Sequence, residues 1–179
     1  MFGRRTKQEE TAQDTGLFSH ILLVVDGSEP ALAAADFAVN LARQVGSRIT
    51  AVYVVDTATM DYLMQMRILI QDERQEFEHD LESSGQRYLE YVRTLADKHD
   101  VSQVETELLR GSLHQIILRR ARELGVDAIV VGGWKQTITR KDTTSVERQL
   151  ILSEADCPVV TVKTGARDRS RVETSPRRP

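Results

Sequence analysis

The residues with types and spacing suited to chemistry on an anion fall in two places. One is Asp26-Gly27-Ser28, which closes the apolar run ILLVV. The other is Gly132-Gly133, which closes the run AIVV and leads into the basic, threonine-rich stretch WKQTITRKDTTSV over residues 134–146. Glycines let backbone amides face a phosphate with no Cβ in the way, while cations and hydroxyls add further donors. In that stretch Lys135, Arg140 and Lys141 would supply charge and Thr143, Thr144 and Ser145 hydroxyls, beside a helix N-terminus whose dipole favours anions. The competing reading is a solvated loop whose charges face water and whose Thr144 caps the next helix. Chemistry on a covalent bond is not expected. There is no Ser/His/Asp set, no pair of carboxylates at defined spacing, no Gly-Lys-Ser/Thr phosphate loop and no histidine-containing adenylylation motif.

Something must position these residues, and the chain offers short β-branched runs alternating with helical periodicity. The runs are HILLVV (20–25), RITAVYVV (48–55), VETELL (104–109), DAIVVG (127–132) and PVVTVK (158–163). Being apolar on both faces, they read as strands covered on both sides. Between the first two, Ala31, Ala34, Ala38, Leu41 and Val45 recur at helical spacing, with Pro30 suited to the first turn and Gly46 to the end. From 76 to 96, Phe77, Leu81, Tyr88, Leu89, Val92 and Leu95 do the same. Ser112 and Gln115 have capping-box spacing before Leu113, Ile116, Ile117, Ala121 and Leu124, and Gly125 suits a left-handed end. Thr144 and Glu147 repeat the capping spacing before Val146, Leu150 and Leu152. The alternation predicts an α/β fold, an open, doubly wound parallel sheet with helices on both faces. In such sheets ligands bind beyond the carboxyl ends of the strands where the strand order reverses, which points to Asp26, Gly27, Ser28, Gly132 and Gly133.

The stretch 57–80 fits this scheme least. Its stripe of Met60, Leu63, Met64, Ile68 and Leu69 suits either the core side of a long helix or adaptable packing against a partner or over the pocket.

Composition narrows the partners. The 179 residues suit one domain over 18–163, between polar segments 1–17 and 164–179 that carry too little apolar area to offset their ordering entropy and read as disordered tails. A formal net charge of -3 gives no drive toward nucleic acid or anionic membrane, and no run approaches the roughly 20 apolar residues of a membrane span. The single Cys157 cannot form an intramolecular disulfide, and the four histidines have no metal-ligand spacing, so no metal is expected. Cys157 reads as a small buried residue before Pro158, and a cytoplasmic location is expected. Trp134 is suited to stacking on a base, to a subunit contact or to anchoring its loop.

ILLVVDGS (21–28), the glycine of LLRGS at 111, DAIVVG and CPVVTV (157–162) together resemble the universal stress protein family over residues 18–163. The resemblance implies a five-stranded sheet in the order 3-2-1-4-5, a non-enzymatic stress-response role and homodimers paired through the last strand, with an unknown protein as a further partner. It also implies a site for ATP or AMP, in which Asp26 and Gly27 face the nucleoside and Val52 flanks the adenine. Nucleotide-binding members carry Gly, two residues, Gly, nine residues, then Gly followed by Ser or Thr. Counted back from Cys157-Pro158, Gly132 keeps the first glycine, while Lys135, Ser145 and Val146 stand at the other positions. The expectation is a degenerate nucleotide site, and the alternative is a regulatory switch in which the basic loop replaces the glycine nest.

Overall fold

The computed structural model describes residues 18–133 and 143–164. The elements in chain order are β1 (His20–Val25), α1 (Glu29–Val45), β2 (Arg48–Val55), α2 (Thr57–Gln65), α3 (Gln71–Lys98), β3 (Val104–Arg110), α4 (Leu113–Leu124), β4 (Ala128–Gly132), α5 (Thr143–Glu154) and β5 (Val159–Val162). The strands form one parallel sheet in the order β3-β2-β1-β4-β5. The expected open, doubly wound α/β fold is therefore the one observed. β1 lies between β2 and β4, so the chain leaves β1 toward one half of the sheet and β4 toward the other, and the carboxyl ends of these two strands form the topological switch point.

Each face of the sheet has its own core. Ile21, Leu23 and Val25 of β1 join Ile49, Ala51 and Val55 of β2 under α1 and α3, while Leu22, Val24, Val52, Ile129 and Val131 pack with Leu113 and Ile117 of α4 and Ile151 of α5. Alternate residues of β1 thus serve opposite faces, which is why its six residues are all buried and read as one apolar run. α1 lies close because its inward side is small: Ala31, Ala34, Ala35, Ala38 and Ala42 are buried. Ser28 caps it, its side chain accepting from the Ala31 N–H at 3.3 Å, and Gly46 ends it in the left-handed conformation. Val45, placed on the apolar stripe by spacing, is 49% exposed.

The stretch 57–80 differs most from expectation. Two helices replace the long one, broken by a turn in which Arg67 takes φ of 55° and the N–H of Ile68 donates to the Leu63 carbonyl. Arg74 ties the two helices together through Asp61 at 2.7 Å. Only Met60 of the stripe is fully buried, Leu69 is packed at the core's edge, and Tyr62, Met66, Ile68, Ile70 and Phe77 are more than half exposed. The helical period breaks inside the stripe, because Ile68 and Leu69 lie in the turn between the two helices, and of the five only Ile68 is exposed.

Among the described residues no helix is long and apolar enough to cross a membrane, and no group of three acidic, histidine or cysteine side chains is placed to hold a metal.

Candidate functional site

The loop after β1 brings Asp26, Gly27 and Ser28 to the carboxyl end of the sheet. Asp26 folds back in a local turn, its Oδ1 accepting from the Ser28 N–H at 3.0 Å. Its Oδ2 accepts from Arg148 of α5. The same guanidinium reaches the Ser28 hydroxyl at 3.3 Å. The Arg148 side chain is 7% exposed and that of Asp26 20%, so this is a nearly buried ion pair across the switch point. Arg148 and the Ser28 N–H thus engage both carboxylate oxygens of Asp26, the residue that the resemblance places against a nucleoside.

Sequence reasoning missed Arg148, and the reason is a phase error. The apolar residues that follow the capping spacing in sequence are Val146, Leu150 and Leu152, but Val146 is 56% and Leu152 45% exposed. The inward set is Arg148, Ile151 and Ala155, spaced three and four apart, with Ile151 fully buried. An arginine in register with Ile151 was the available signal.

The glycines have structural partners. A Cβ on Gly132 would lie 2.5 Å from the Ala31 N and 2.6 Å from the Pro30 carbonyl carbon, so the first turn of α1 rests directly on the end of β4. Gly27 has φ of 77°, and a Cβ there would meet the Tyr88 ring at 2.2 Å. Tyr88 stacks on Tyr53, their centroids 6.5 Å apart and their planes at 14°. Burial, then the nearby Asp26 charge, push the Tyr53 phenol above its ordinary value. Val52 is 0% exposed and lies within the α4–α5 core, so its side chain is not presented to the cleft. Trp134, Lys135, Arg140 and Lys141 lie outside the described residues, and Ser145 falls in the first turn of α5.

A second polar cluster joins the start of α5 to α4. The capping box expected at Ser112 does not form, since Ser112 makes no side-chain bond to cap its own helix, while the side chain of Thr144 lies outside the described residues and Glu147 crosses to the N-terminus of α4. There the carboxylate accepts from the His114 N–H at 2.8 Å, lies 2.8 Å from His114 Nδ1 and accepts from the Ser112 hydroxyl at 3.2 Å. Burial alone would push the Glu147 carboxyl up, but the bonds from His114 and Ser112 outweigh it and hold the carboxyl below its ordinary value. Residue types of a serine-hydrolase set are thus brought together from distant parts of the chain. Their wiring is not that of a nucleophile relay, since Ser112 sits 3.0 Å from Nδ1, the ring nitrogen already facing the carboxylate. A relay needs serine and carboxylate on opposite ring nitrogens.

Cys157 is half-buried on an apolar cleft lined by Leu118, Ala121, Val126 and Ile129, at the opposite end of the sheet from Asp26. Burial and the adjacent Asp156 push its thiol up, away from the nucleophilic thiolate.

The architecture defines a class first: an open α/β sheet of order 3-2-1-4-5 with a nearly buried ion pair at its switch point. Residues 17–163 match the family model described as the universal stress protein family, and the chain belongs to that family. A universal stress protein of Methanocaldococcus jannaschii is 27% identical over 147 residues, covering 82% of this chain and 83% of the relative. A universal stress family protein from Burkholderia pseudomallei superposes with a TM-score of 0.63 at 24% identity, covering 82% of this chain and 97% of that one. A family protein from Arabidopsis thaliana, solved with AMP bound, superposes with a TM-score of 0.58 at 16% identity, covering 87% and 97%. At these identities the structural likenesses establish a shared fold.

Proposed function

We propose that this chain is a non-enzymatic, cytoplasmic stress-response module whose nucleotide cleft is closed by its own side chain. The observation that carries this reading is the Arg148 guanidinium seated, 7% exposed, on Asp26 and Ser28. A relative of the same fold holds AMP. In this chain an adenine nucleotide, ATP or AMP, would have to displace a cation tethered at an effective concentration on the order of millimolar. The packing at Gly132 and Gly27 supports the same reading, because both glycines serve contacts within the fold. The Ser112-His114-Glu147 wiring supports a binding or signalling role over hydrolysis.

The dimer belongs to this proposal. Among the described residues β5 pairs only with β4, its four residues are half-buried, and an edge strand of three valines and a threonine is protected by pairing with a second copy.

The test is nucleotide binding by protein purified without added nucleotide, compared with Arg148→Ala. Wild type is expected to release no nucleotide on denaturation and to give no calorimetric heat with AMP or ATP up to about 1 mM, the weak end of specific binding. Arg148→Ala is expected to bind AMP measurably. Nucleotide released from wild type, or sub-millimolar binding to it, would refute the closed cleft and favour a ligand-gated switch.

A further inference from the structure

Glu147 and Arg148 are consecutive, yet they grip different elements. Successive residues on a helix diverge by about 100°. Glu147 therefore reaches Ser112 and His114 on α4 while Arg148 reaches Asp26 after β1 and Ser28 at the cap of α1. Among the described residues, apolar packing fastens this part of α5 only weakly. Val146 is 56% exposed, and the first fully buried apolar side chain, Ile151, comes almost a turn later. The Glu147 contact is also well suited to bear load. It satisfies a backbone N–H that α4 cannot satisfy internally, and it places a carboxylate at the positive end of that helix.

We propose that Glu147 is a positioning residue for the Arg148–Asp26 pair: by bolting the start of α5 to the N-terminus of α4, it holds the guanidinium in the cleft. This deepens the closed-cleft reading, which it takes as its premise, and assigns control of that closure to a contact with α4. Changes at Ser112 or His114, which touch neither Asp26 nor Arg148, then alter access to the cleft by loosening Glu147.

The experiment uses the full chain and follows the Arg148 guanidinium by nitrogen-15 NMR, alongside AMP calorimetry. In wild type the guanidinium protons are expected to exchange slowly, because the side chain is nearly buried. In Glu147→Ala their exchange is expected to quicken by about tenfold or more, as a local contact opens. Glu147→Gln, whose amide oxygen still accepts from the His114 N–H, is expected to restore most of the protection. Should Glu147→Ala fail to fold, Ser112→Ala with His114→Ala tests the same link from the other side. AMP affinity is expected to rise in Glu147→Ala, and Glu147→Ala/Arg148→Ala is expected to bind no better than Arg148→Ala alone. Arg148 exchange unchanged in Glu147→Ala would overturn the positioning role whatever the nucleotide data show. Quickened exchange without any gain of AMP binding in Arg148→Ala would uphold the positioning role and overturn the closed cleft.

Discussion

Replacing Arg148 by methionine removes the charge and keeps most of the packing volume, and its consequence can be worked from the burial of the pair. Removing one partner of a fully buried ion pair costs about 3–5 kcal/mol, because the other charge is left uncompensated. Here the Asp26 side chain is 20% exposed and keeps its bond from the Ser28 N–H, so part of its charge remains solvated and bonded. The expected cost is accordingly lower, about 2–3 kcal/mol, in the range of hydrogen bonds to charged groups. For a domain of this size that corresponds to a melting temperature lower by roughly 4–12 °C. Asp26→Asn with Arg148→Met leaves no stranded charge and is expected to be more stable than Arg148→Met alone. Urea unfolding followed by circular dichroism, run on wild type, both single variants and the double, yields the coupling energy. A coupling below about 0.5 kcal/mol, the value of an exposed surface pair, would refute the claim that this contact is a buried bolt.

Other outcomes follow from the same contacts. His20 is 4% exposed with Nε2 2.8 Å from the Thr50 hydroxyl, and burial, then Arg48, hold its ring below the ordinary histidine value of 6.5. Below pH 6.5 the unfolded chain takes up a proton that the folded ring resists, so stability falls as pH drops from 6.5 toward the folded value; His20→Gln is expected to flatten this slope, and an unchanged slope in urea titrations would count against it. Glu147 has the carboxylate sign: its folded value lies below 4.5, its contribution is present above 4.5 and is lost as pH falls through the folded value, so wild type and Glu147→Gln are expected to differ at pH 7 and converge in acid. Gly132→Ala is expected to cost about 1–3 kcal/mol from overpacking against backbone that has little room to yield. Gly46→Ala, with φ of 75° but open space around it, is expected to lose only the left-handed penalty of about 1–2 kcal/mol, and equal melting temperatures for Gly132→Ala and wild type would refute the close contact.

The sheet was legible because β1 and β2 are apolar on both faces, a pattern that leaves few alternatives. Gly46 and Gly125 marked helix ends for a local reason, since each takes a left-handed conformation that other residues resist. The site was less legible because its contacts are long-range and opposite to local habit. Arg148 faces inward, where spacing rules expect an apolar residue, and its bonds to Ser28 and to Asp26, 122 positions away, make that tolerable. Ser112 and Glu147 each sit where a local cap would form, but they meet each other across two helices. Spacing along one helix cannot distinguish a local cap from a carboxylate borrowed by its neighbour. The apolar residues of 57–80 mislead for a different reason: their spacing is helical, but the chain turns at Arg67, so Ile68 and Leu69 fall between two helices rather than along one.

The contact beneath Gly132 bears on how such sequences are read. Because α1 presses its backbone at Pro30 and Ala31 onto that position, selection for a stable fold alone suffices to keep a glycine there after any ligand has been abandoned. A glycine at the end of β4 is therefore required by the scaffold whether or not a ligand binds, and a tally of motif glycines will overcount working pockets among chains built this way. The more telling position lies a turn into α5, where the side chain either leaves Asp26 free or, as Arg148 does here, fills the vacancy from within.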